Sequence, residues 1–534
     1  MTLLTKGALK NILGDIPLTA EVYWQIRQNG RPLSKSFSLR RTEKWLPEWR
    51  AQAEMARRSR PSGKKVLIFA TLRYWIEHAT LLGLALAGLG HEVTLAYLPY
   101  ANWRKSLNRF DLRRQNTYAR SILKKAAPLL ASISLLDLKD TRDLPPELVT
   151  AVQDISLRDA QYTLQVEEID LDGKLYQLRL ERNSQAAGAA LAWMEANPPD
   201  VLLTPNGSIL EMGAVYQVAR HLNIPIVTYE FGEQRQRIWL AQDGEVMRQE
   251  TDALWESRQE EPLNDEQWEQ VRALFASRQS ASLWENFSRR WQGVPSQGGE
   301  QVRAQLGLDA RPVVLLAANV IGDSLTLGRQ VFTESMTEWL EQTVRDFSGR
   351  PGVQLVIRVH PGERYTQGPS VADVVRGSLV EGSVLPENIH LVAADDPINT
   401  YDIVDIADLG LVYTTTVGME MAMSGVPVIV IGQTHYRNKG FTLDPSSWDE
   451  YTGLLDRALA DPAQYRLTRA QADLVWNYAY RFFFEYPLPF PWHLLHFWDE
   501  LQSWPVERAL SEEGLEQFGD AFRYLAGEPI NWTK

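Results

Sequence analysis

Short, almost wholly apolar runs, each followed by a helical stretch, recur in two separate series along this chain. Nothing else in the sequence restricts the fold so strongly. KVLIFAT (65–71) suits a strand buried on both faces. IEHATLLGLALAGLG reads as a helix ending at Gly90, and HEVTLAYL as the next strand. Strand, helix, glycine, strand is the βαβ order of a Rossmann-like parallel sheet. SISLLDL (132–138), PDVLLTP (199–205) and IPIVTYE (224–230) continue it, with a helix over 208–221. A second series holds RPVVLLAANV, VQLVIRVHP, ENIHLVA, DLGLVYT and GVPVIVIG. The expected fold class is therefore α/β, with two Rossmann-like parallel-sheet domains whose strand carboxyl ends face each other across a cleft.

The 534 residues suit two large domains with additions. Residues 1–60, polar and Arg-rich, read as an N-terminal extension, and 61–250 as the first domain. Within it, 161–181 alternates about Asp172-Gly173, a hairpin signature. The acids Asp170 and Asp172 read as turn residues rather than a metal pair. Residues 251–308 read as a connector and 309–475 as the second domain. The tail, 476–534, carries eleven Phe, Tyr or Trp from Trp476 to Trp498. Pro487, Pro489 and Pro491 break the amphipathic helix that a membrane anchor would want, so packing back across the lobes is expected. A net charge of −12 argues against nucleic-acid binding. The absence of cysteine removes disulfides, thiolate-bound metal and a thiol nucleophile, and fits a reducing compartment. With no signal-peptide core or spanning segment evident, a cytoplasmic protein is expected.

Four stretches of the second half offer candidate chemistry. In RVHPGE, Pro361 ends the strand and holds His360 extended at its tip. Arg358 alternates with it, so both would address one phosphate or leaving group. A satisfied strand-end histidine is the plainer alternative. In YTTTVGME, Thr414, Thr415 and Thr416 precede a helix whose first N–H groups can point at a phosphate. Gly418 would admit the ligand and Glu420 would accept from a ribose hydroxyl. One hydroxyl suffices for capping, and three exceed it. The third stretch, THYRNKGFT, offers Tyr436 and Lys439, while AANVIGDS offers Asn319 and Ser324. In the first half Glu230, beside Phe231-Gly232, is either a desolvated general base or a solvated loop acid. No Walker loop or two-histidine zinc pattern occurs.

His360-Pro361, Thr415-Thr416-Val417-Gly418 with Glu420, and Tyr436-Arg437-Asn438-Lys439-Gly440-Phe441-Thr442, in that order, resemble the capsule polysaccharide biosynthesis glycosyltransferases of bacteria, including the capsule-linker Kdo transferases. A looser resemblance extends to bacterial sialyltransferases and teichoic acid glycerol-phosphate polymerases. The resemblance implies a GT-B fold, a nucleotide-sugar donor (CMP-, CDP- or UDP-linked) on the second lobe, and a surface-glycan or lipid-linked acceptor on the first. It also implies that His360 and the Thr415/Thr416 pair meet the donor phosphate, with no metal and no resident cofactor. Such an acceptor leaves peripheral association with the inner face of a membrane open. The acid-acid-Gly motif that supplies the base in these relatives is matched only by Glu230-Phe231-Gly232, so His78 stands as a substitute. A nucleotide-sugar 2-epimerase and an inactive scaffold on the same fold are the alternatives.

Overall fold

The computed structural model describes residues 6–58, 60–138, 142–287, 293–379 and 384–533, with the side chains of 6–9 excepted. The remaining positions of the expected extension, connector and tail lie outside the described residues. The chain divides into two compact units: 1–160, 170–247 and 487–530 form the first, and 161–169, 248–486 and 531–534 the second.

The first unit opens with α1 (Lys6–Asp15), α2 (Thr19–Ile26) and α3 (Arg40–Arg57). Strand β1 (Lys65–Thr71) has six of its seven residues buried, and α4 (Arg73–Gly88) is buried from Trp75 to its end. After β2 (Glu92–Leu98) come α5 (Arg109–Leu123), β3 (Leu130–Ser134), α6 (Pro146–Leu164) and α7 (Lys174–Ala196). Then follow β4 (Val201–Pro205), α8 (Leu210–His221), β5 (Ile226–Glu230) and β6 (Arg237–Gln242). β1 pairs in parallel with β2 and β4, β2 with β3, and β4 with β5. β6 is antiparallel to β5, and the two-residue strand Leu488–Pro489 is antiparallel to β6.

The second unit holds α9 (Asp252–Arg258), α10 (Asp265–Gln279), α11 (Gly299–Leu306), β7 (Val313–Ala317) and α12 (Met336–Ser348). It continues through β8 (Gln354–Arg358), α13 (Val371–Gly377), β9 (Ile389–Val392) and α14 (Thr400–Val404). Then come β10 (Leu409–Val412), α15 (Val417–Met423) and β11 (Val428–Val430), followed by helices over Trp448–Ala460 and Arg469–Tyr480. The sheet is parallel throughout, in the order β11-β10-β7-β8-β9. Both sheets are Rossmann-like, as the two apolar series require.

Three segment readings are corrected. The alternation over 161–181 is not a hairpin: α6 runs to Leu164, a turn spans Asp170–Gly173, and α7 follows. The inward face of α7 carries Tyr176, Arg179, Arg182 and Asn183, so polar residues mask the helical period there. Residues before 60 are no detached extension, since Leu46, Trp49 and Ala53 of α3 join the β1 core. The connector is folded, with Trp268 and Phe275 of α10 against Trp476. The aromatic tail changes unit at Tyr486–Pro487. Phe483 lies against Phe275, while Phe490, Trp492, Phe518 and Phe522 lie in the first unit's core.

In the first unit a buried ion triad anchors α7. Arg179 pairs with Asp159 of α6 and, at 3.0 Å, with Glu211 of α8, all wholly enclosed. Burial raises the Asp159 pKa to about 6 despite Arg179. Removing the cation strands two buried carboxylates. Arg179→Met should therefore lose about 3–5 kcal/mol in urea unfolding at pH 7. The loss should shrink at pH 5, where Asp159 takes a proton.

Candidate functional site

In the second unit β8 and β9 lie on one side of β7, and β10 and β11 on the other, so the strand order reverses between β7 and β10. Loops at the carboxyl ends of strands flanking such a reversal form the usual ligand crevice of parallel sheets. Here Asn319 Oδ1 accepts the Thr414 N–H at 3.2 Å, and the Thr414 hydroxyl donates to the Leu325 carbonyl at 2.8 Å. Both residues are buried and hold the two loops together.

Thr415 and Thr416 differ from Thr414. Thr416 has helical φ and ψ of −57° and −23° and makes no side-chain cap bond. Neither hydroxyl has a hydrogen-bond partner among the described residues, so capping is not their use. Their loop is braced from beneath by Tyr436, wholly buried, whose hydroxyl donates to the Thr415 carbonyl at 2.6 Å. A Cβ on Gly418 would lie 2.4 Å from that hydroxyl oxygen. The glycine thus makes room for Tyr436, a packing reason that replaces the expected ligand approach.

His360 is exposed at the tip of β8. Its Nδ1 accepts the Gly362 N–H at 3.0 Å, which leaves the proton of the neutral ring on Nε2. Desolvation by the surrounding loops and the charge of Arg358 lower its pKa, with Asp323 opposing, so near neutral pH the ring is an uncharged Nε2–H donor. Arg358 does not share its direction. It is buried, donates to the Ala393 carbonyl at 2.5 Å and to Thr400 at 3.3 Å, and burial lowers its pKa to about 10. Ser324 donates to Asp323 at 3.2 Å in the loop after β7. Glu420 lies 2.5 Å from Arg278 of α10, an enclosed ion pair that takes it away from a ribose.

Lys439 lines a cleft of about 200 Å³ with Arg248, Asp252, Arg329, His435 and Arg437. Lys439 pairs with Asp252. His435 stacks on Phe482 with ring centroids 3.6 Å apart, and burial holds its pKa well below the ordinary value, so it is neutral. The sequence reading missed Arg248, Asp252 and Arg329, since no motif surrounds them.

In the first unit the order reverses between β1 and β4. Asn206, after β4, has φ of 60° and is followed by Gly207 at 82°. This turn brings its amide nitrogen to 3.3 Å from Glu230 Oε2, while Oε1 accepts the Phe231 N–H at 3.0 Å. Burial raises the Glu230 pKa to about 7, against both bonds. The side chain is only half-buried. Phe231 stacks on Trp75 at 6.1 Å and meets His493 at 5.1 Å, and the Gly232 carbonyl accepts from His493 at 3.0 Å. The aromatic residue thus anchors the acid's loop. His78 is set apart from any ligand: it is 1% exposed, donates from Nε2 to the Trp492 carbonyl at 3.0 Å, and burial lowers its pKa to about 4. Glu500, overlooked in the sequence, accepts the His493 and Gln236 N–H groups, and burial raises its pKa to about 7.

As a sequence the chain matches no family model and none of the curated proteins. Among solved structures it is similar to the Thermosulfurimonas dismutans KpsC beta Kdo 2,4 transferase, at 16% identity over 52% of this chain and 78% of that one, with a TM-score of 0.32. It is also similar to the UDP-GlcNAc 2-epimerase from Neisseria meningitidis, at 13% identity over 79% of this chain and 99% of that one, TM-score 0.26. The glycosyltransferase SnogD from Streptomyces nogalater matches at 15% identity over 79% and 95% of the two chains, TM-score 0.23. Similarity at this level assigns no activity.

The Glu230 carboxyl gives a pH test. Its folded pKa, raised from 4.5 to about 7, means that its contribution to stability is complete below 4.5 and lost as pH rises through 7. Glu230→Gln removes that loss. The melting temperature of the variant relative to the native chain should climb between pH 4.5 and 7, then level.

Proposed function

We propose that this protein is a glycosyltransferase that moves a sugar from a nucleotide-activated donor to a surface-glycan or lipid-linked acceptor. One observation carries the reading. At the strand ends of one parallel sheet stand an Nε2–H donor on His360 and two hydroxyls, Thr415 and Thr416, without hydrogen-bond partners among the described residues, on loops held by Gly362, Asn319 and Tyr436. Unsatisfied donors on a braced loop suit the oxygens of a phosphate. Arg329 of the nearby cleft, where Lys439 is already paired with Asp252, suits the remaining negative charge. In this reading Glu230 takes the proton of the acceptor hydroxyl, whose oxygen bonds to the anomeric carbon. The bond from that carbon to the donor phosphate breaks, and His360 with the threonines stabilises the departing anion. Side chains meet the phosphate charge without a resident metal or cofactor, and the nucleotide sugar is substrate. A base with a pKa near 7 is poised for this step.

The test is transfer from labelled CMP-, CDP- and UDP-sugars to glycan and lipid-linked acceptors, with an acceptor-free arm. The native chain should transfer from one donor class, with kcat/KM rising through about pH 7. Glu230→Gln should lose about 10²–10⁴-fold in kcat and the alkaline rise with it. Thr415→Ala and His360→Ala should lower turnover without unfolding the chain. An altered sugar formed without acceptor would favour an epimerase instead, and full activity in Glu230→Gln would remove that residue as base.

A further inference from the structure

The helical pair α1 and α2 is inverted relative to an ordinary surface element. Its inward contacts to α5 are largely polar: Arg113 pairs with Glu21 and donates to the carbonyls of Gly14 and Ile16, and Lys10 pairs with Asp111 at 2.7 Å. Ala20 and Trp24 are the buried apolar residues of α2. Outward stand Ile12, Ile16, Leu18, Val22 and Ile26, with Leu18 68% and Ile26 71% exposed, while Tyr23, 44% exposed, sets its ring edge-on to Phe110 of α5 at 5.4 Å. Leu18 is held out by a φ of 63°, a left-handed conformation that a leucine rarely adopts. Pro17, Leu18, Val22, Tyr23 and Ile26 line one shallow groove that Arg27 closes. Contiguous exposed apolar surface of this kind marks an interaction face.

Charge says what covers it. Arg27, Arg31 and Lys35 follow directly, exposed and without ion-pair partners among the described residues. Residues 1–60 hold twelve Lys or Arg against five Asp or Glu, net +7 in a chain whose total is −12. A second copy would set like charges face to face. Nucleic acid would leave the aliphatic side chains without a partner.

We propose that this face docks on the surface of an anionic lipid bilayer. The aliphatic side chains enter the acyl boundary, Tyr23 lies at headgroup depth, and Arg27, Arg31 and Lys35 meet lipid phosphates. The docking is peripheral, since no helix among the described residues is long and apolar enough to cross a membrane.

The test is co-sedimentation of the full chain with phosphatidylcholine vesicles, with and without phosphatidylglycerol. The native chain should pellet with the anionic vesicles, and added salt should weaken this. Ile16→Ser/Leu18→Ser/Ile26→Ser, with exposed positions and an unchanged melting temperature as control, should partition about tenfold less. Arg27→Glu/Arg31→Glu should fall comparably. Failure of the native chain to pellet, or equal pelleting of the apolar variant, overturns the proposal. So does a native dimer in light scattering that the apolar variant abolishes, which would make a second copy the occupant.

Discussion

A parallel strand buried on both faces commits every side chain to packing, and the central strands of both sheets are of this kind. All five residues of β7 and of β8 are buried, as are six of seven in β1. Chemistry is thereby left to the loops at the carboxyl ends, which lack a ladder to hold them. Single polar bonds do that instead: Tyr436 on the Thr415 carbonyl and Asn319 on the Thr414 N–H, both buried, and Asn206 on the half-buried Glu230. Each such bond adds only about 1 kcal/mol net, but leaving its buried groups unmatched costs more, so the loops have one well-satisfied arrangement.

That arrangement separates groups of one type into different roles. Thr414 spends its hydroxyl on Leu325, whereas Thr415 and Thr416 keep theirs for a ligand in the proposed reading. Among the histidines, His78 and His435 are enclosed by aromatic rings and kept neutral by burial, while His360 stands exposed with its tautomer set by Gly362. Among the acids, Glu420 and Glu211 are enclosed with arginines, and Glu230, half-buried beside Phe231, holds a proton up to neutrality. Phe231, the aromatic residue after Glu230, packs that loop against Trp75.

The parallel sheets were legible because period and apolarity report strands buried on both faces directly. The strand tips were legible for a related reason: Pro361 and the threonine run interrupt that pattern where it must end. What sequence concealed was polar burial. The face of α7 that enters the core carries Arg179 and Asn183, so a helix looked like an alternating hairpin. Arg358 alternates correctly with His360 yet is drawn to Ala393 and Thr400 by bonds that no periodicity encodes. Arg329 and Asp252 meet Lys439 from distant parts of the chain, and Glu500 is tied to the Gln236 and His493 N–H groups. Proximity of that kind is a property of the folded chain alone.

The central claim is that the strand tips of the second unit bind a nucleotide through its phosphates. Isothermal titration of CMP, CDP, UDP, GDP and ADP into the native chain, and into a Thr415→Ala/Thr416→Ala variant of unchanged melting temperature, tests it most directly. The account predicts that one base is bound in preference, and that the double variant loses at least tenfold in affinity, about 1.4 kcal/mol. Equal affinity in the two proteins, or no binding of any nucleotide, would contradict it.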